Sequence, residues 1–219
     1  MLATSGSTAS LYKLLRRQLE SFFPVLDLEF DNEVTPAIDA ALEKIEVCFS
    51  HQTNKYFSQG GTPFFNFYHS DQYAMFLYYV SNAISRRHGD RSVSDRIYYL
   101  NKVMNSVDIY HEVELPPVFL LGHPVGTVLG RAKYSNFFTV SQNCTVGNNK
   151  GVYPRFGEYV TMFSGSKVLG DCAIGNNVLI SANSYVKDTN IEDNSVVFGC
   201  SPNLVIKQID RAFHDSVWK

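Results

Sequence analysis

Residues 168–197 read VLGDCAIGNNVLISANSYVKDTNIEDNSVV, and their spacing decides the fold. Val168, Ile174, Ile180 and Val186 fall six apart; after a five-residue step, Ile191 and Val197 are again six apart. Upstream, Tyr134, Val140 and Val146 keep the same step. Polar turn residues fill the intervals: Gly170-Asp171, Gly175-Asn176-Asn177, Asp188-Thr189-Asn190 and Glu192-Asp193-Asn194. A six-residue period is the signature of a parallel β-helix, in which each hexapeptide supplies one short strand and one corner. Three sides make a triangular coil with its aliphatic residues inside. One coil cannot bury its own face, so coils stack on a shared core. Asn and Gly suit the left-handed backbone of tight corners. The register breaks between Val146 and Val160, and the stretch from Gly147 to Phe156 is read as a loop thrown out of one coil. Loops on repeat scaffolds often build sites.

Before Asp108 the period is helical. Leu11, Leu14, Leu15, Leu19 and Phe22 form one stripe. Thr35-Pro36 reads as a cap and first helical position of a second helix running towards Phe49. Ser58–Pro63 (SQGGTP) reads as loop. A long apolar helix is expected from Ser70 to Arg87, ended by Gly89, and another begins at Ser92-Val-Ser-Asp. The expected layout is α+β: an all-α N-terminal domain over 1–107, a left-handed parallel β-helix of hexapeptide repeats over 108–203, and a C-terminal helix or tail over 204–219.

Composition excludes several classes. A net charge of -2 leaves no electrostatic footprint for nucleic acid. No apolar run reaches the roughly 18 residues of a membrane helix, and the first twenty residues have no signal-peptide core. Cys48, Cys144, Cys172 and Cys200 are scattered without metal-type pairs, so reduced thiols and a cytoplasmic location are expected.

The chain resembles the hexapeptide-repeat acyltransferases, and within them the serine acetyltransferases. Val107-Asp108-Ile109 looks like the family's Val-Asp-Ile-His. Leu121-Gly122-His123-Pro-Val-Gly126-Thr-Val-Leu-Gly130 resembles its Leu-Asp-His-Ala-Thr-Gly-Ile-Val-Ile-Gly, with the family's fifteen residues from Asp to His. Tyr153-Pro-Arg-Phe-Gly-Glu158 matches His-Pro-Lys-Ile-Arg-Glu in spacing. Ser164-Gly-Ser-Lys-Val-Leu-Gly170 matches Ala-Gly-Ala-Lys-Ile-Leu-Gly, and Phe198–Asn203 resembles the exit that closes many of these β-helices. In the helical half, Thr62-Pro63 and Tyr68-His69-Ser-Asp-Gln72 are similar to the family's helix leading towards the site.

The resemblance implies an acetyl-CoA-dependent acyltransferase with His123 as general base and Asp108 as the carboxylate that orients it. The chemistry asks for such a pair. A thioester is already activated, and the acceptor's proton must leave as its oxygen attacks, a task suited to neutral imidazole. A carboxylate on the second ring nitrogen sets the tautomer and stabilises the imidazolium. Backbone N–H groups near Gly126 or Gly147 would hold the oxyanion. CoA is expected along a groove between subunits, at Gly147, Ser164 and Ala182. Lys207 either meets its phosphates or is a solvated lysine. No metal is expected. The resemblance further implies a homotrimer, possibly paired into hexamers, acting on a small molecule.

The acceptor is less defined. Gly122 replaces the family's Asp, and Val152-Tyr153 replaces the Arg-His pair that serves the amino acid. Arg155 is the nearest cation for an acceptor carboxylate. Tyr153 either fills the space of the family's His or points a hydroxyl at a polyol, and His69 either packs or lines the acceptor pocket. A sugar or polysaccharide-precursor acceptor is modestly favoured, O-acetylation of serine is the alternative, and a catalytically silent β-helical scaffold is the non-enzyme alternative. His111, flanked by Glu112 and Glu114, is expected at an exposed edge. His51, His88 and His214 are expected at the surface.

Overall fold

A computed structural model describes residues 1–23, 28–87, 89–210 and 212–219. His88, expected at the surface, lies outside the described residues. The chain forms two compact units, Met1–Glu112 and Val113–Lys219. The division falls a few residues after the 107/108 boundary expected from the change of period, because Tyr110 and His111 bond into the helical unit through Asp95.

The first unit contains helices α1 (Thr8–Phe22), α2 (Leu28–Ser50), α3 (Ser70–Arg86) and α4 (Arg91–Asn105). The Ser7 hydroxyl accepts from the Ser10 N–H and caps α1. The helix buries Leu11, Leu15 and Leu19, while Phe22, counted in the same stripe, is 51% exposed. The second helix begins well before Thr35-Pro36, so Pro36 is an interior residue. An interior proline removes one i→i−4 bond at a cost of about 3 kcal/mol. Here the helix offsets it by burying Val34, Ala37, Ile38, Ala41, Ile45, Cys48 and Phe49 along one face. α3 is buried continuously from Asp71 to Ile84 and is the unit's central helix. α4 starts earlier than Ser92: the Asp90 carboxylate accepts from the Ser92 N–H at 2.8 Å.

The N-terminal unit is helical but carries a small sheet. β2 (Ser58–Gln59) and β3 (Thr62–Phe65) form an antiparallel hairpin, and β1 (Ala3–Thr4) pairs β3 in parallel. The stretch expected as loop is therefore a hairpin. Gly60 and Gly61, with φ of +59° and +83°, provide the two left-handed residues that a tight two-residue turn requires.

The second unit is a left-handed parallel β-helix. Its first face stacks Phe119–Leu121, Phe138–Val140, Val160–Met162, Val178–Ile180 and the start of Ser195–Cys200. The second face stacks Val128–Leu129, Thr145–Gly147, Lys167–Leu169 and Tyr185–Lys187. The third is shorter, with Lys133, Arg155–Phe156, Ala173–Ile174 and Ile191 joined by parallel pairing. Val168, Ile174 and Ile180 therefore occupy the second, third and first faces in turn: each six-residue step advances one side. All nine residues of the repeat register are buried, from 0% exposure at Val168 to 8% at Tyr134. Partners lie 18 residues apart at Val160–Val178 but 22 apart at Val146–Val168. The difference is the expected loop, a turn closed by reciprocal backbone bonds between Asn149 and Val152.

The C-terminal segment departs from the expected helix at Leu204. Asn203–Gln208 is a strand that pairs antiparallel with Ser195–Cys200, giving the last strand's free edge a partner. Helix α5 (Ala212–Val217) follows. His214 is fully buried, not at the surface, and Trp218 is 3% exposed. They pack on an aromatic corner where the rings of Phe137 and Tyr159 stack at 4.2 Å. No described helix is long and apolar enough to cross a membrane.

Candidate active site

Corner length singles out His123. Between the first and second faces the later coils use four residues: 141–144, 163–166 and 181–184. The first coil uses six, 122–127. The extra residues form a protruding turn that holds His123 exposed, with left-handed backbone at φ +49°. Histidine tolerates that region better than most residues, and such positions recur at functional sites. The turn is braced on the coil below. The Gly122 N–H donates to the Val140 carbonyl at 2.9 Å, and the Thr127 hydroxyl donates to the Ser141 carbonyl at 2.7 Å. Within the turn, the Val125 N–H donates to the His123 carbonyl at 2.7 Å. Gly126 follows at φ +75°, where a Cβ would lie 2.3 Å from Oδ1 of Asn143 on the next coil.

Three further candidates line adjacent corners of the β-helix. Gly147 ends its strand on the second face, and its carbonyl accepts from the Gly170 N–H at 3.1 Å. Ser164 and Ala182 belong to the four-residue corners of successive coils, linked by the Asn183 N–H donating to the Ser164 carbonyl at 3.0 Å. Ser164 is half-buried and Ala182 exposed, which leaves their small side chains at the surface of the coil. Tyr153 lies near Gly147: a Cβ on Gly130 would sit 3.0 Å from the Tyr153 ring and 3.6 Å from the Gly147 Cα. Only glycine fits at Gly130 beside that ring. The Tyr153 hydroxyl accepts from Nδ2 of Asn148 at 3.3 Å.

Arg155 is exposed on the third face and faces Asp171 at 3.7 Å. Lys207 lies on the C-terminal strand, its ammonium 5.9 Å from the centre of the Phe198 ring. His69, in the helical unit, precedes α3 and makes no side-chain cap; its ring sits 5.9 Å from both Tyr56 and Phe57.

Asp108 is held by two residues of α4. Tyr98 donates its hydroxyl to Oδ1 at 2.7 Å, and the Lys102 ammonium bonds Oδ2 at 2.6 Å. The bond to Asp108 pushes the Lys102 pKa up; burial, followed by the same carboxylate, pushes the Tyr98 phenol up. A carboxylate has about four lone-pair positions, so Asp108 keeps accepting capacity. Sequence reasoning missed Asp95, Tyr98 and Lys102, although their spacing of three and four residues places them on one face of α4.

His111 corrects a second expectation: it is 2% exposed, not at an exposed edge. Asn82 fixes its carbonyl at 2.8 Å and Asp95 its Nε2 at 3.0 Å. Cys144 and Cys172 are buried, and burial pushes the Cys172 thiol up, away from the thiolate a nucleophile needs.

The fold, a helical part followed by a parallel β-helix, is shared with solved serine acetyltransferases. In sequence the chain is similar to curated serine acetyltransferases: 29% identical over 120 residues to that of Staphylococcus epidermidis, covering 52% of this chain and 55% of the relative. The Staphylococcus aureus protein is 26% identical over 128 residues, covering 51% and 54%. The chain thus spans about half the length of the curated relatives it matches. No family model matches. Among solved structures, a serine acetyltransferase in complex with CoA superposes with a TM-score of 0.68 at 17% identity, over 89% of this chain and 82% of that one. The Neisseria gonorrhoeae serine acetyltransferase gives 0.65 at 18% identity, over 92% and 81%.

Proposed function

We propose that this protein is an acetyl-CoA-dependent acetyltransferase that acylates the hydroxyl of serine, with His123 as general base and Asp108 as the carboxylate that orients it. The observation that carries this reading is the six-residue corner, which exposes an imidazole where later coils have only a four-residue turn. His123 takes the acceptor's hydroxyl proton as its oxygen attacks the thioester carbonyl. The oxyanion is held by backbone N–H groups near Gly126 or Gly147. The C–S bond then breaks, and the proton passes from the imidazolium to the departing CoA thiolate, so no covalent enzyme intermediate forms.

Acetyl-CoA is supported by the likeness to a serine acetyltransferase solved with CoA. Its slim arm is assigned to Gly147, Ser164 and Ala182, with Lys207 near its phosphates. Tyr153, Arg155 and His69 are assigned to the acceptor. A homotrimer would complete each site from a neighbouring copy.

The choice of acceptor reverses the expectation drawn from Val152-Tyr153, which favoured a sugar. The curated relatives named above are serine acetyltransferases, and that likeness supports serine. Thiol release from acetyl-CoA, measured with serine, homoserine and a nucleotide-linked sugar, tests this reading. Serine is expected to give the highest kcat/KM. A preference for the sugar would overturn the acceptor, and no turnover with any of the three would return the chain to a scaffold role.

A further inference from the structure

The helical unit contains a half-open pocket of about 280 Å³ that the proposed chemistry does not use, lined by Ser85, Gly89, Arg91, Ser94, His111 and Glu112. Two of its lining side chains are buried with polar atoms lacking a protein partner. Ser94 is 0% exposed and its hydroxyl makes no hydrogen bond; His111 is 2% exposed and its Nδ1 makes none. Buried polar groups are nearly always satisfied, and each exception asks for an explanation. A pocket bordered by two such groups points to a ligand that satisfies both.

The charges around the pocket narrow its chemistry. Nε2 of His111 lies 3.0 Å from the Asp95 carboxylate, so the tautomer with its proton on Nε2 donates there and leaves Nδ1 as an acceptor. Arg91 donates to the Tyr110 hydroxyl at 2.8 Å, which itself donates to Asp95 at 3.1 Å. The guanidinium is thereby positioned yet only loosely paired, 3.8 Å from Asp95 and 3.9 Å from Glu112. Two carboxylates disfavour a phosphate dianion, and the guanidinium disfavours a simple cation. Apolar ligands would leave Ser94 and His111 unsatisfied. A molecule with one carboxylate and one ammonium meets every group: its oxygens bond Arg91 and Ser94, and its N–H groups bond His111 Nδ1 and Glu112. The volume lies just below the roughly 300–1,000 Å³ of drug-sized sites, as befits a small metabolite.

We propose that this pocket of the helical unit binds a small zwitterion of the free amino acid class. The inference does not depend on acetyl transfer.

The test uses the full chain and a panel of the common amino acids, glycine first, screened by thermal shift and followed by calorimetry. Acetate and ethylamine serve as half-ligands. At least one amino acid is expected to raise the melting temperature saturably, with both half-ligands at least tenfold weaker. Arg91→Ala and Glu112→Gln are expected to abolish the shift. Arg91→Ala should keep whatever serine turnover the wild type shows, so a wild type without turnover would overturn the proposed reaction while the shift is still read. Ser94→Ala is expected to lose ligand affinity and, without ligand, to melt no lower than the wild type, because it removes an unsatisfied buried hydroxyl. A shift retained in Arg91→Ala, no shift with any amino acid, or a destabilised unliganded Ser94→Ala would each overturn the proposal. The last would mark the hydroxyl as bonded within the fold, for instance to a structural water.

Discussion

The ammonium of Lys102 lies 2.6 Å from Oδ2 of Asp108, and this ion pair is 47% exposed on the lysine side. Tyr98, one turn earlier on α4, donates to the other oxygen. Together they fix the carboxylate that is proposed to act with His123.

Lys102→Met is therefore expected to lower stability near neutral pH by about 0.2–1 kcal/mol, the range of a solvent-screened pair. The pH dependence has a definite sign. Because the lysine pKa is raised in the folded chain, its contribution is complete below the ordinary lysine value and is lost as pH rises through the raised one. Urea unfolding at neutral pH should separate the two proteins, and unfolding in strong alkali should bring them together. Equal stabilities at neutral pH would show that the pair contributes nothing.

The β-helix corners predict a graded response to glycine replacement. Gly165 has φ +73°, and a Cβ there would lie 2.4 Å from Oδ1 of Asn183 on the next coil. Gly151, in the protruding loop, has φ +83° with nothing within 4 Å. Gly151→Ala should cost about 1–2 kcal/mol from backbone conformation alone. Gly165→Ala should cost more, about 2–3 kcal/mol, because Asn183 must also move. Chemical denaturation of the two variants checks the order.

The thiols differ in access. Cys48, Cys144 and Cys172 are buried, and Cys200 is exposed. A native thiol titration with a chromogenic disulfide should react promptly with one thiol, and the denatured chain with all four. Rapid native reaction at Cys172 would contradict its burial.

The β-helix was legible because its period is covalent. A six-residue step carries Val168 to Ile174 to Ile180 around three faces whatever the rest of the chain does. His123 is proposed as the base from the motif around it, and the structure shows it exposed. The reason for its exposure, two additional residues in one corner, emerges only when the coils are aligned in register. Other features depend on contacts that local pattern does not encode. Pro36 signals a helix start by local rule, and it is overridden by a buried face running on both sides of it. Glu112 and Glu114 made His111 read as exposed, yet its ring turns inward to Asp95 on a helix sixteen residues upstream. His214 lies on a short polar-looking helix whose burial comes from Tyr159, more than fifty residues away in the chain.

The most direct test of the account is the rate of CoA thiol release by His123→Ala with serine as acceptor. A general base contributes about 10²–10⁴-fold, so kcat is expected to fall by that factor while the variant stays folded and binds CoA as the wild type does. A folded His123→Ala that turns over at the wild-type rate would contradict the assignment of the base.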